Sequence, residues 1–163
     1  MNHKITIRRD KYGLGFRSAR RCIRRGVECT LRSQGISTPC EVSVLLTDNE
    51  GICACNRQQR QIDRPTDVLS FPSYELKPGT FDICSDDTGA GRVFLGDMIL
   101  SLERAGAQAE QYGQAAEDEI SYLTVHSVLH LLGYDHVDEA GDKREMRKRE
   151  KLALEEIRRS LRP

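Results

Sequence analysis

The sequence predicts an α+β fold, with about four strands in one mixed sheet, about five helices packed against it, and a metal site at the end of a buried long helix. Strand-like segments occupy the first two thirds of the chain, and helical segments group towards its end. Helices between successive strands favour at least one parallel strand pair. At 163 residues the chain has the size of one domain, which we place at residues 1–163.

The first part of the chain alternates strand and helix patterns. Residues 3–9 alternate in strand fashion, and residues 16–32 carry apolar side chains at helical spacing. Residues 41–47 are rich in Val and Leu, which favours a strand. Residues 48–59 begin with an aspartate that suits a helix N-cap, so a short helix is expected there. Residues 67–72 form the third predicted strand, which a proline ends.

The second part contains one strand and three helices. Residues 73–91 are rich in Gly, Asp, Ser and Thr, which predicts a loop or a hairpin tip. Residues 92–101 form the fourth predicted strand. Helices are expected over 102–112 and 116–132, each followed by a glycine, and a charged amphipathic helix over 139–161. The apolar side of this last helix is predicted to be Met146, Ala153, Leu154, Ile157 and Leu161.

Charge is unevenly distributed, although the net charge is zero. Residues 1–32 contain ten Lys or Arg against two Asp or Glu, whereas residues 33–137 contain six against sixteen. The first helix is expected to bury one stripe, made of Phe16, Ala19, Ile23, Val27 and Leu31. Its arginines lie off that stripe, so the sequence predicts a basic helix face that attracts polyanions.

The composition excludes several classes of protein. No apolar run approaches the roughly 20 residues that span a bilayer, and the first residues lack the apolar stretch of a signal peptide. The six cysteines form no C-x-x-C pair, which indicates scattered free thiols rather than disulfides or a zinc ribbon. We therefore expect a cytoplasmic protein with no membrane association.

Three of the four histidines lie within HSVLHLLGYDH, residues 126–136. His126 and His130 are four residues apart, so they share one face of the predicted long helix. Gly133 can end the helix in a left-handed conformation, after which His136 can reach an ion held by the helical pair. Three neutral imidazoles are a known ligand set for one catalytic zinc ion and leave the fourth position open.

The residue after the first histidine separates two chemistries. The same histidine spacing occurs in metzincin proteases, where a glutamate follows the first histidine and acts as general base. Here that residue is Ser127, which disfavours peptide hydrolysis. Three neutral ligands leave zinc able to lower the pKa of its water from ~15.7 to ~7. Such a site suits a phosphodiester, whose hydrolysis needs a cation near the phosphate more than a dedicated base.

Several motifs resemble the YbeY family of bacterial metal-dependent endoribonucleases. TVHSVLHLLGYDH (124–136) is similar to the family's H-G-x-L-H-L-x-G-Y-D-H box. The resemblance extends to NRQQRQIDRPTDVLSFP (56–72), LGDMILS (95–101), ERAGAQAEQYG (103–113) and the charged C-terminal helix. It implies a zinc-dependent endoribonuclease that cleaves single-stranded RNA, with roles in 16S rRNA 3′-end maturation and 70S ribosome quality control. It also implies rRNA and ribosome or small-subunit assembly proteins as partners.

The resemblance also implies roles for individual residues. The family's zinc-binding histidines fall on His126, His130 and His136, and its functional arginine falls on Arg60, whose guanidinium can grip a phosphate bidentately. The chain departs from the family at Ser127, where a glycine is usual, and at Gln59, where an aromatic is usual.

Other candidates rest on the residues alone. Arg57 and Arg64 are alternatives to Arg60, and Asp135 is a candidate to orient a histidine or to act as base. Contacts with the RNA backbone are predicted for the arginines of the first helix, which are Arg17, Arg20, Arg21, Arg24 and Arg25.

Two other functions stay open at this point. One is a non-catalytic ribosome-assembly factor in which the metal only holds the helix to its turn, and the other is a metzincin-like protease. The nucleophile, the cleavage site and the oligomeric state do not follow from the sequence.

Overall fold

The computed structural model of the protein describes residues 2–11, 17–135 and 140–162. Four strands form one sheet: β1 (Lys4–Arg9), β2 (Cys40–Thr47), β3 (Val68–Pro72) and β4 (Val93–Ser101). Their order across the sheet is β1-β2-β4-β3. β1 and β4 run parallel to β2, and β3 runs antiparallel to β4. The predicted α+β fold with a mixed sheet is confirmed.

Five helices occupy the predicted positions, with ends shifted by up to three residues. They are α1 (Ala19–Ser33), α2 (Asn49–Arg60), α3 (Leu102–Gln111), α4 (Ala116–Leu131) and α5 (Ala140–Ser160). The side chain of Asp48 accepts a hydrogen bond from the Gly51 amide at 2.8 Å, which confirms the predicted N-cap of α2. The predicted loop over 73–91 contains a short 3₁₀ helix, Ser85–Thr88, that the sequence did not indicate.

The core lies between one face of the sheet and the helices. Val42, Val44 and Leu46 of β2 are buried, while the residues between them are only half-buried. α1 buries the predicted stripe, of which Ala19, Ile23, Val27 and Leu31 are fully covered. Phe16, the remaining residue of that stripe, lies outside the described residues. The arginine face of α1 is exposed, except that Arg25 is half-buried.

The apolar side of α5 was predicted correctly in part. Met146, Ala153 and Ile157 are buried and Leu154 is half-buried. Leu161 was predicted to join them, and this was wrong: its exposed fraction is 57% because the helix has already ended at Ser160. No helix in the part of the chain that the structure describes is long and apolar enough to cross a membrane. All six cysteines are free thiols.

α4 is the central helix and carries the two helical histidines. It packs against α1, α3, α5 and β3, and most of its length is buried. A helix that is apolar nearly all round is typical of such a position. Gly133 follows its end with a φ of +89°, and a Cβ there would collide with the carbonyl oxygen of Leu76. Only glycine therefore allows the chain to turn this close to the loop that contains Leu76.

Candidate active site

The side chains of His126 and His130 face each other on α4. Their Nε2 atoms are 3.1 Å apart, and the two rings meet nearly edge to face. Two nitrogen ligands of one tetrahedral zinc ion would lie about 3.3 Å apart, given bonds of about 2.0–2.1 Å. The separation of the two Nε2 atoms is thus close to that expected for two ligands of a single zinc ion.

Glu150 of α5 holds the other side of the His126 ring. The Nδ1–H of His126 donates to Oε1 of Glu150 at 2.7 Å, and the Glu150 side chain is only 11% exposed. An ionised carboxylate can only accept, so the proton belongs on Nδ1 and the Nε2 lone pair is left for a ligand role. Metal-binding histidines commonly have such a carboxylate partner.

The third predicted ligand, His136, lies outside the described residues. Within residues 2–11, 17–135 and 140–162, no group of three or more His, Cys, Asp or Glu side chains is placed to hold a metal ion. The described part of the site therefore contributes two imidazoles from one helix and a carboxylate behind one of them. This arrangement fits the zinc ion that the sequence predicts.

An open groove of about 960 Å³ brings Arg60 and Asp135 to the same site as the histidines. Arg60 is the last residue of α2, and its Nη2 donates to the carbonyl oxygen of Ser70 at 3.3 Å. Its guanidinium lies 5.8 Å from the centre of the Phe71 ring. The arginine lies 66 residues before His126 in the sequence, yet both line one groove in the fold.

The two alternatives to Arg60 lie elsewhere. Arg57 donates to the carboxylate of Asp63 at 2.8 and 2.5 Å, and this contact lowers the pKa of Asp63. The charge of Arg57 is therefore already partnered. Arg64 lines a neighbouring cleft rather than the histidine groove. The arginines of α1 also lie outside the groove, and four of them, Arg20, Arg21, Arg24 and Arg25, line a separate depression on that helix.

Ser127 follows His126 on α4 and contacts β3. It is fully buried, and its hydroxyl hydrogen-bonds the hydroxyl of Ser70 at 2.7 Å. Ser70 also supplies the carbonyl that accepts from Arg60. Ser127 thus links the histidine helix to β3, whose Ser70 carbonyl accepts from Arg60.

Tyr122 lies one turn before His126, with ring centres 6.0 Å apart. Burial, followed by the negative charges of Glu150 and Glu119, raises the pKa of Tyr122 to about 12. Its phenol therefore stays protonated at neutral pH and does not act as a base. Burial also raises the pKa of Glu119, whose carboxylate accepts from Gln114.

Sequence reasoning missed Glu150 and Ser70. A signal for Glu150 is present: it lies between Met146 and Ala153 at helical spacing, so it falls on the apolar side of α5. Ser70 lies within a strand pattern and has no distinguishing mark of its own.

Comparisons with known proteins agree with the motifs. The sequence profile described as Endoribonuclease YbeY matches residues 4–158. This chain belongs to the YbeY family. The Endoribonuclease YbeY of Caldicellulosiruptor saccharolyticus is 43% identical over 153 residues, which cover 93% of this chain and 94% of that protein. That of Clostridium acetobutylicum is 46% identical over 141 residues, which cover 81% of this chain and 84% of that protein.

The family resemblance extends to structure. The solution structure of TM1509 from Thermotoga maritima aligns with a TM-score of 0.62 at 25% identity. The alignment covers 94% of this chain and 88% of that one. YbeY membership and the likeness to TM1509 thus span nearly the whole chain rather than the histidine motif alone.

Proposed function

We propose that this protein is a zinc-dependent endoribonuclease that cleaves single-stranded RNA. The observation that carries the proposal is the groove in which Arg60 of α2 lies with His126 and His130 of α4. Membership of a family of endoribonucleases supports RNA as the substrate and phosphodiester hydrolysis as the reaction.

The zinc ion would be held by His126, His130 and His136. When bound, it would supply a positive charge that acidifies a coordinated water and polarises a phosphoryl oxygen. Glu150 fixes the His126 ring in the tautomer whose Nε2 is free of a proton. His126 and His130 project from a buried helix, which keeps the two Nε2 atoms together before any ligand arrives.

Arg60 would bind the scissile phosphate and stabilise the negative charge that builds up on its oxygens. Its guanidinium stays charged at every relevant pH and can donate two parallel hydrogen bonds to phosphate. The hydrogen bond to the Ser70 carbonyl occupies one N–H of the Arg60 Nη2. The other N–H groups of the guanidinium are left to donate to a phosphate. Asp135 lines the same groove and is a candidate to orient the attacking group or accept its proton.

The cellular role that we propose is 16S rRNA 3′-end maturation and 70S ribosome quality control, with ribosomal or small-subunit assembly proteins as partners. The exposed arginines of α1 support an RNA-rich setting, because Arg20, Arg21 and Arg24 lie side by side on one helix. They would add salt-dependent contacts to RNA phosphates away from the groove.

The test compares the purified protein with its His130→Ala and Arg60→Ala variants on single-stranded RNA, with and without a metal chelator. We expect His130→Ala and the chelator to abolish cleavage. Arg60→Ala should lower kcat by about 10²–10³-fold, as expected when a donor to the developing charge is removed. Arg57→Ala is the matched control, since Arg57 shares α2 but is paired with Asp63, and its activity should stay near that of the parent protein.

The contrary outcomes are specific. RNA cleavage that survives both the chelator and His130→Ala would exclude the metal-dependent mechanism. Tight zinc binding without cleavage of any RNA would favour the non-catalytic assembly factor. Cleavage of casein that is lost in His130→Ala would favour the protease.

A further inference from the structure

A second cleft lies beside the histidine groove. Its volume is about 430 Å³, and it is formed by the end of α2, the segment before β3 and the start of α3. Arg60, Thr66 and Asp67 line both the groove and this cleft. The two are therefore adjacent, and Arg60 stands at the boundary between them.

Arg60, Arg64 and Arg104 all line this cleft, which we call the arginine cleft. In the described part of the chain none of these three guanidinium groups forms a salt bridge. Arg57, on the same helix as Arg60, is neutralised by Asp63. The arginine cleft therefore concentrates positive charge in a chain region that is otherwise acidic.

Asp67, the carboxylate that lines the cleft, accepts hydrogen bonds from three neighbouring groups. Asp67 accepts hydrogen bonds from the Val68 amide at 2.7 Å and the Thr66 hydroxyl at 3.3 Å. Its other oxygen accepts from Nε2 of Gln108 at 3.2 Å. Asp67 thus connects the loop before β3 to α3. Among the described residues, the cleft is lined by this one carboxylate and by three arginines.

Both outer arginines have anchored backbones. The carbonyl oxygen of Arg64 accepts from Nδ2 of Asn56, a residue that is only 4% exposed. The amide of Arg104 donates to the hydroxyl of Ser101, which in turn donates to the side chain of Asn49. Buried polar residues therefore fix the backbone positions of Arg64 and Arg104. Less conformational entropy is then lost when their exposed side chains bind a ligand.

We propose that the arginine cleft binds the backbone phosphate next to the scissile one in a single strand of RNA. This inference rests on the proposed function, because it extends the strand from the histidine groove past Arg60. Arg64 and Arg104 would contact the neighbouring phosphate and set the path of the strand. None of the described residues that line the cleft is aromatic, so the contact reads the backbone and not the base.

The experiment measures binding separately from cleavage. A fluorescent oligouridylate of about eight nucleotides, within the usual span of single-strand sites, is titrated by anisotropy at several salt concentrations. We expect affinity to fall by about fivefold for Arg64→Ala and for Arg104→Ala. The slope of log K against log salt should become shallower by about 0.7 for each RNA phosphate that a variant no longer neutralises.

Controls separate the cleft from general charge effects. Arg159→Ala removes an exposed helical arginine that lines neither the groove nor the cleft, and it should leave the salt slope unchanged. Arg104→Lys keeps the charge and should retain most of the affinity. In cleavage assays the KM for the oligouridylate should rise in the double variant, which combines Arg64→Ala with Arg104→Ala, and it should rise more than in either single variant. If the double variant melts at a lower temperature, the single variants carry the test.

The outcomes distinguish the two proposals. Weaker oligouridylate binding and a shallower salt slope in Arg64→Ala and Arg104→Ala support RNA binding by the arginine cleft. If these results are obtained but no RNA is cleaved, only the proposed function is overturned. Unchanged affinity and slope in variants of an active nuclease overturn the cleft and leave the function standing. Absence of RNA binding by the parent protein overturns both. Polyglutamate is titrated in the same way as a model of an acidic protein. If the cleft variants lose polyglutamate binding but keep oligouridylate binding, the cleft binds an acidic protein and its RNA role is overturned.

Discussion

At the scale of single residues, the sequence predicted the histidines and Arg60 of the site but not Glu150. The histidines are marked by their spacing, and Arg60 by the motif before β3. Glu150 is hidden because α5 carries many charged residues, and its contact with His126 spans 24 positions of sequence. Helical spacing places Glu150 on the apolar side of α5, but no local pattern identifies His126 as its partner. The burial of Glu150 and its bond to Nδ1 point to a role in orienting the His126 ring.

Replacing Glu150 by glutamine should weaken zinc binding by about 10–100-fold, the usual effect of removing the carboxylate behind a ligand histidine. An amide no longer favours the proton on Nδ1 as a carboxylate does, so the His126 Nε2 becomes a poorer ligand. Competition with a chromophoric chelator measures the zinc affinity directly. Glu145→Gln is the matched control, because Glu145 lies on the same helix and pairs with Arg149. Equal zinc affinity in the parent protein and in Glu150→Gln would argue against this role.

At the scale of elements, most boundaries follow from local chemistry. Alternation and helical periodicity predicted the four strands and five α-helices of the described residues to within three residues, because most of these elements bury one face or stripe. The errors lie where the chain lacks such a stripe: the 3₁₀ helix at Ser85–Thr88 and the exposed Leu161. The contact between α4 and β3 through Ser127 and Ser70 was also beyond prediction, since it joins two elements through residues that are 57 positions apart in the sequence.

The hydroxyl pair should hold α4 to β3 in a way that a double-mutant cycle can measure. Ser127→Ala should lower the free energy of unfolding by about 1–3 kcal/mol, because Ser70 keeps a hydroxyl that no longer has its partner. Ser70→Ala should have an effect at the upper end of that range, since the hydroxyl it leaves without a partner is the fully buried one of Ser127. The double variant should lose less than the sum of the two. Urea denaturation of the four proteins gives these values, and strict additivity would show that the two hydroxyls do not interact.

At the scale of the whole molecule, the sheet order is what the sequence leaves open. The strands follow the chain as β1, β2, β3 and β4, yet β4 pairs with β2, and β3 takes the edge. Pairing joins segments far apart in the chain, so it is decided by how all the apolar faces fit together rather than by any one segment. The same assembly packs both α2 and α4 against β3, and residues of all three line the groove. His126, His130 and Arg60 could be named from motifs, whereas their shared groove is a property of the complete fold.

The distribution of the six thiols offers a test of that complete fold. Cys84 is exposed, whereas Cys22, Cys29 and Cys40 are buried in α1 and β2. Burial raises the pKa of Cys40 to about 12 and also raises the pKa values of Cys22 and Cys29. Because the thiolate is the reactive form, a raised pKa and burial both slow alkylation. At about pH 8, near the pKa of a free thiol, we expect Cys84 to be alkylated first and Cys40 last.

Mass spectrometry of timed iodoacetamide reactions gives the order of labelling. The same reaction in guanidinium chloride is the control, and there all six cysteines should react at similar rates because unfolding removes the burial that protects three of them. Rapid labelling of Cys40 in the folded protein would mean that β2 is not covered by the helices in solution. Since β2 is the strand that joins β1 to β4, that result would contradict the sheet itself and not only one side chain.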